Sequence, residues 1–211
     1  MTDSEILPSA GLGIRRVNAV VALRLLEAMR DMDLPTELLE DENPTQTIPR
    51  RFGLSDVVER QIRKYRDDVK NRVRMSDEEL QGLFRLVIRR PDGPQVCHTV
   101  GRLLGGGATV PRWLRYLPEG LQHQVVRRRV RKLLRHLFGR TIGGFARGGF
   151  VIEARSSLFL QADPEGDACQ LLSGLSDEVI SRTLGGEASV EHTLCQGLGD
   201  DLCRWEATLN R

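Results

Sequence analysis

Three of the four cysteines, Cys169, Cys195 and Cys203, fall within the single stretch 169–203, and His192 sits three positions before Cys195. The midpoint of Cys195 and Cys203 is Gly199, inside the turn-like run QGLGDD. If the flanking runs ASVEHTL and LCRWEATL are antiparallel strands, that turn sets Cys195 opposite Cys203, with Cβ atoms about 4.5–5.5 Å apart. Two thiolates so placed can share one metal ion. Cys169, at the start of the intervening helix, supplies a third. The pattern is that of a Cys3His or Cys3Glu zinc site that staples a helix to a hairpin. Strand parity leaves the fourth ligand open. Residues 191, 193 and 195 share one face of a regular strand, so Glu191 lies on the side of Cys195. His192 reaches the same side only if the strand is bulged or ending there. Two plainer readings compete. Cysteine is often buried as a small apolar residue. A Cys195–Cys203 disulfide is also conceivable, but no signal-peptide pattern points to an oxidising compartment.

Other chemistry is sparse. His98 and His136 each fall on an expected helix beside apolar residues. An isolated histidine there reads first as a satisfied core residue, and second as an axial ligand to a metallated macrocycle. GRLLGGGATV lacks the GK[ST] ending of a phosphate loop and follows no strand. No GxGxxG fingerprint, GxSxG elbow or HExxH helix is present, so the residues alone show no catalytic apparatus.

The elements that must position the cysteine stretch read as α+β, with helices packed on a small antiparallel sheet. Residues 1–12 read as a flexible N-terminal arm. Periodicity predicts a helix from Ile14 to Met32, a second from Leu54 to Arg74 opened by Ser55, and a third from Ser76, whose Glu79 completes a capping box. A fourth runs over 95–104. VPRWLRYL forms a short connector, and Pro118 opens a long helix to Phe138. The segment TIGGFARGGFVIEARSSLFL reads as containing two strands, Ala168–Leu184 as a helix, and the end of the chain as a hairpin. Residues 13–141 thus form a helical part and 142–211 a zinc-stapled motif, together one compact domain.

The 211 residues carry a net charge of +2 and 40% hydrophobic residues, enough for a core. The charge is unevenly spread. Between Gly120 and Ile152 there is no Asp or Glu, whereas Arg127, Arg128, Arg129, Arg131, Lys132, Arg135, Arg140 and Arg147 all fall there. This invites a nucleic-acid reading. Few aromatics are interleaved and no helix-turn-helix signature is present, so a solvated face or a positive rim for a small anionic ligand is the expectation, with no nucleic acid partner. No apolar run approaches the roughly 20 residues that span a bilayer, so a cytoplasmic protein without a transmembrane segment is expected.

Taken together, FVIEARSSLFLQADPEGDAC, QLLSGLSDEVISRTL, VEHTLCQGLGDDLC and RWEATL resemble the vinyl-4-reductase domain. That family is similar in fold to subunits of the TRAPP vesicle-tethering complexes (the Bet3-like fold). Upstream, RRVNAVVALRLLEAMRD and VGRLLGGGATVPRWLRYLPEGLQHQVVRRRVRKLLRHLFGRTIGGF resemble the branch of the family associated with bacteriochlorophyll biosynthesis. The resemblance spans roughly residues 11–208, and 33–90 carry little of it. It implies helices on an antiparallel sheet, a site for a small hydrophobic molecule, and a homodimer. It also implies a structural zinc on Cys169, Cys195, Cys203 and His192, the last standing where regulators of the family carry an acid. Its branch is named for reduction of a vinyl group on divinyl (proto)chlorophyllide. With no dinucleotide or flavin site in the sequence, the expectation is an accessory or carrier protein. It would hold a magnesium tetrapyrrole for a pathway enzyme, with Arg135 or Arg140 meeting a carboxylate and His136 the magnesium.

Overall fold

The computed structural model describes residues 14–33, 56–107, 118–146, 150–155 and 157–210. The expected arm at 1–12, the cap Ser55, the connector at 110–117 and Arg147 lie outside them.

The chain enters through strand β1 (Arg15–Asn18), which pairs antiparallel with β2 (Arg74–Ser76). This corrects the expected helix from Ile14. Val17 is fully buried between polar neighbours, and the strand has a distant partner that local periodicity cannot reveal. The Asn18 side chain accepts from the Val20 N–H at 3.0 Å, so helix α1 (Val20–Asp33) starts there instead. Helix α1 is apolar on two sides. Val21, Ala22, Leu25 and Ala28 join the main core, while Leu23 and Leu26 meet Ile62 of α2 (Asp56–Lys70) in a second cluster. Helix α2 buries only the narrow stripe its sequence offers. It stops short of the expected Arg74, because Arg72 turns to φ +54° and the chain enters β2.

Helix α3 (Asp77–Ile88) begins with the expected capping box, Ser76 accepting from the Glu79 N–H and Glu79 from the Ser76 N–H. Helix α4 (Gly93–Gly105) and the basic helix α5 (Glu119–Phe138) follow. The rest of the chain builds a four-stranded antiparallel sheet in the order β3-β4-β6-β5. Its strands are β3 (Gly144–Phe145), β4 (Val151–Ala154), β5 (Glu187–Leu194) and β6 (Cys203–Asn210). Between β4 and β5 lie α6 (Leu158–Ala162) and α7 (Gln170–Ile180). Leu158, Phe159 and Leu160, read as part of a strand-forming segment, turn helical because Ser157 caps them, accepting from the Leu160 N–H at 3.2 Å. Helix α7 ends in a π-turn at Ser181–Gly185.

Helix α7 is the centre of the molecule. Leu171, Leu172, Leu175, Val179 and Ile180 are all buried. Each buried leucine contributes roughly 1.5–3 kcal/mol. Sheet residues Ile152, Val190, Cys203 and Trp205 belong to the same core. Helix α4 crosses α7 with almost no side chain between. A Cβ on Gly101 would sit 2.1 Å from the Leu171 carbonyl oxygen, and one on Gly174 2.0 Å from that of His98. The glycines of GRLLG therefore serve helix packing, by removing the Cβ that would hold the two backbones apart. Phe84, Phe138 and Phe159 close the core edge to face, with centroids 5.7 and 5.5 Å apart.

Candidate metal centre

The cysteine stretch meets where α7 starts and the β5–β6 hairpin turns. Asp163, buried at the end of α6, organises the approach. Its carboxylate accepts from the Glu165 N–H at 3.1 Å and the Ala168 N–H at 2.8 Å. Gly166 adopts φ +91° in the turn so formed, and Cys169 arrives fully buried at the head of α7. From the other side, Cys203 opens β6 and is fully buried as well.

The hairpin resolves the parity question. His192 pairs with Trp205, but two residues later Leu194 pairs with Arg204, so the register shifts by one between them. The extra residue, Thr193, forms a bulge. It lets residues three apart, His192 and Cys195, face the same side, where a regular strand would oppose them. Glu191 pairs with Glu206 across the strands and is exposed, on the other face. The ladder ends at Leu194 and Arg204, one step before Cys195 and Cys203, and the chain turns between them through Gln196–Leu198 and Gly199.

The ligand atoms of Cys169, His192 and Cys203 all lie within 4.8 Å of one another, and this cluster could hold a metal ion. Cys195 borders it. Its side chain is almost fully buried, its N–H donates to Asp200 at 2.7 Å, and its thiol shares a hydrogen bond with Cys203. Its Sγ occupies the space a side chain on Gly166 would need, 2.5 Å from that Cβ position. All four cysteines of the chain are free thiols.

The electrostatics centre on Cys203. Its thiol is lowered to about 5, chiefly by the hydrogen bond from the Cys169 thiol. The Gln196 N–H, at 3.4 Å, and the neighbouring His192 ring add to this against the opposing effect of burial. Cys169 is pushed well up by donating that bond and by burial. Cys195 is raised by burial, against the N–H groups of Gly197 and Leu198. Cys97, away from the cluster, is pushed up to about 12 by burial and is an inert core thiol. One thiolate held among further thiols and an imidazole is the donor chemistry a borderline-soft divalent cation accepts. The His192 Nε2 supports the same reading: it is buried and has no hydrogen-bond partner among the described residues.

The remaining candidates are not brought to this centre. His136 is exposed on α5, with Nε2 3.5 Å from the Asn18 amide, so it is not the core histidine its sequence context suggests. Arg135 is exposed too, and Arg140 pairs with Asp77 at 3.3 Å. His98 is half-buried and satisfied, its Nε2 lying 2.9 Å from Asp177. A cleft of about 280 Å³ beside that pair is lined by Arg102, Asp177, Ser181 and Ala188. Sequence reasoning passed over Asp163, Gly166, Asp200 and Trp205. The run DPEGDAC carries a turn signal that could have flagged the first two. Among the described residues, no helix is long and apolar enough to cross a membrane. No protein-family model matches the chain, and no curated protein matches it closely enough to count as a relative.

Proposed function

We propose that this chain is a zinc-stapled binding domain of the vinyl-4-reductase kind, and that it holds a magnesium tetrapyrrole of the divinyl (proto)chlorophyllide class as an accessory or carrier protein. The observation that carries the reading is the convergence of Cys169, His192 and Cys203, with Cys195 beside them, at the positions the family resemblance names. In this reading all four residues bind the ion. Zinc with four protein ligands has no open position for substrate, so it cross-links α7 to the hairpin and leaves chemistry elsewhere. The ligand class rests on the resemblance. A pigment engaging His136 would lie at the outer face near the end of α5, with Arg135 or a displaced Arg140 for its carboxylate.

The test is an absorbance titration of the purified protein with a magnesium divinyl tetrapyrrole, with and without a reductant. A saturable Soret shift without vinyl reduction is expected. Turnover of the vinyl group would make the protein a reductase in its own right. No shift at micromolar pigment would remove the tetrapyrrole and leave a domain that senses a different hydrophobic ligand. A monodisperse dimer in the same preparation is expected on the resemblance and would not discriminate among these outcomes.

A further inference from the structure

The outward face of α5 carries basic side chains and no acidic one among its exposed residues. Gly120, Leu121, Gln124, Arg128, Arg131, Lys132, Arg135 and His136 are its exposed residues. At 100° per residue they occupy one continuous face of the helix. Opposite them, Val126, Val130, Leu134, Leu137 and Phe138 are buried in the core, which fixes the rotation of the helix. Among the described residues, Arg128, Arg131, Lys132 and Arg135 have no carboxylate within ion-pair reach, whereas Arg16, Arg66, Arg102, Arg140, Arg182 and Arg204 each have one. Arg131 packs its guanidinium 5.4 Å from the centre of the Phe145 ring. That ring also stands edge-on to Phe150 at 5.4 Å and lies 5.9 Å from the Arg127 guanidinium, so it is engaged within the fold.

We propose that this face of α5 docks on an anionic phospholipid surface. Four cations on one helix face, without a carboxylate partner among the described residues, provide the charge a negatively charged leaflet attracts, at about fivefold in binding per residue. Leu121, an apolar side chain 46% exposed on the same face, offers a foothold in the headgroup region. The face lacks the aromatic platforms and amide-rich base readers of a nucleic-acid surface. The inference stands on the charge and exposure of α5 and does not depend on the pigment reading.

The experiment is sedimentation of the full chain with vesicles of phosphatidylcholine alone, and with phosphatidylcholine containing phosphatidylglycerol, in low and high salt. Binding is expected only to the anionic vesicles, with release at high salt. The Arg128→Gln/Arg135→Gln double variant should bind about 25-fold more weakly, while its circular dichroism and melting curve match those of the parent. Failure to bind anionic vesicles, equal binding to neutral ones, or an unaffected double variant would each overturn the proposal. So would a duplex oligonucleotide that binds this face in the same salt range and displaces the vesicles.

Discussion

His192 lies flat on Trp205, with ring centroids 4.7 Å apart and the two planes 15° from parallel. The two residues are also direct partners across the β5–β6 ladder. The same indole donates its N–H to the Cys169 carbonyl oxygen at 3.3 Å, so one buried side chain steadies residues from both halves of the centre. Removing it should therefore do more than leave a cavity. Trp205→Ala is expected to cost about 3–5 kcal/mol of stability. Trp205→Phe keeps an aromatic face under the imidazole and loses the N–H bond. It should weaken metal binding by about 10-fold or more, as loss of an outer-shell contact typically does. Chelator competition alongside urea denaturation separates the two effects.

Gly166 is the second test of the centre's geometry. A methyl group there would meet the Cys195 sulfur at 2.5 Å, on a backbone at φ +91°. Gly166→Ala should cost on the order of 1–3 kcal/mol from the backbone alone and should displace Cys195 as well. Weakened metal binding in a protein that keeps its far-ultraviolet dichroism is the expected outcome. Metal binding equal to the parent would show that Cys195 is not needed where it stands.

The crossing of α4 and α7 predicts a sharp contrast between glycines. Gly101→Ala drives a methyl group into the Leu171 carbonyl and should destabilise by more than 3 kcal/mol or prevent folding. Gly82→Ala, on the exposed side of α3 with nothing within 4 Å, should stabilise by about 0.5–1 kcal/mol. Thermal melts of the two variants measure the difference.

Glu178 gives a pH dependence with a defined sign. Its carboxyl is held below the ordinary glutamate value of 4.5 by the hydrogen bond from Arg182, with Arg102 adding to it against burial. A lowered folded-state pKa means stability that is present above the unfolded value and lost as pH falls through the folded one. Glu178→Gln should thus be less stable than the parent at neutral pH. The gap should close as the solution is acidified below about pH 4.5, and denaturation midpoints across an acid series would follow it. A gap that widened in acid would reverse the assignment.

Much of this was legible from short-range signals. The capping box of Ser76 and Glu79, the long helix after Pro118 and the turn centred on Gly199 are written in residues a few positions apart, and each forms as read. What sequence could not show depended on partners far along the chain. Strand β1 exists because Arg74–Ser76 lies beside it, and the glycines of GRLLG acquire their meaning only against Leu171 and Leu175. The ligand question turned on Thr193. One extra residue in β5 reverses the parity, so that His192 faces the cluster and Glu191 faces out, and a bulge has no dependable local signature. Asp163 and Asp200 read as loop residues because their roles, fixing backbone N–H groups near the cysteines, appear only when the loops close.

The most direct test is the metal content of protein purified without added zinc, measured for the parent and for Cys203→Ser. The account predicts about one zinc per chain in the parent, as a closed four-ligand site holds. It predicts loss of the metal in the variant, with destabilisation on the order of 4 kcal/mol or more. A metal-free parent that melts as well before as after zinc is supplied would contradict it. The four residues would then be no more than a buried cluster of thiols around an imidazole.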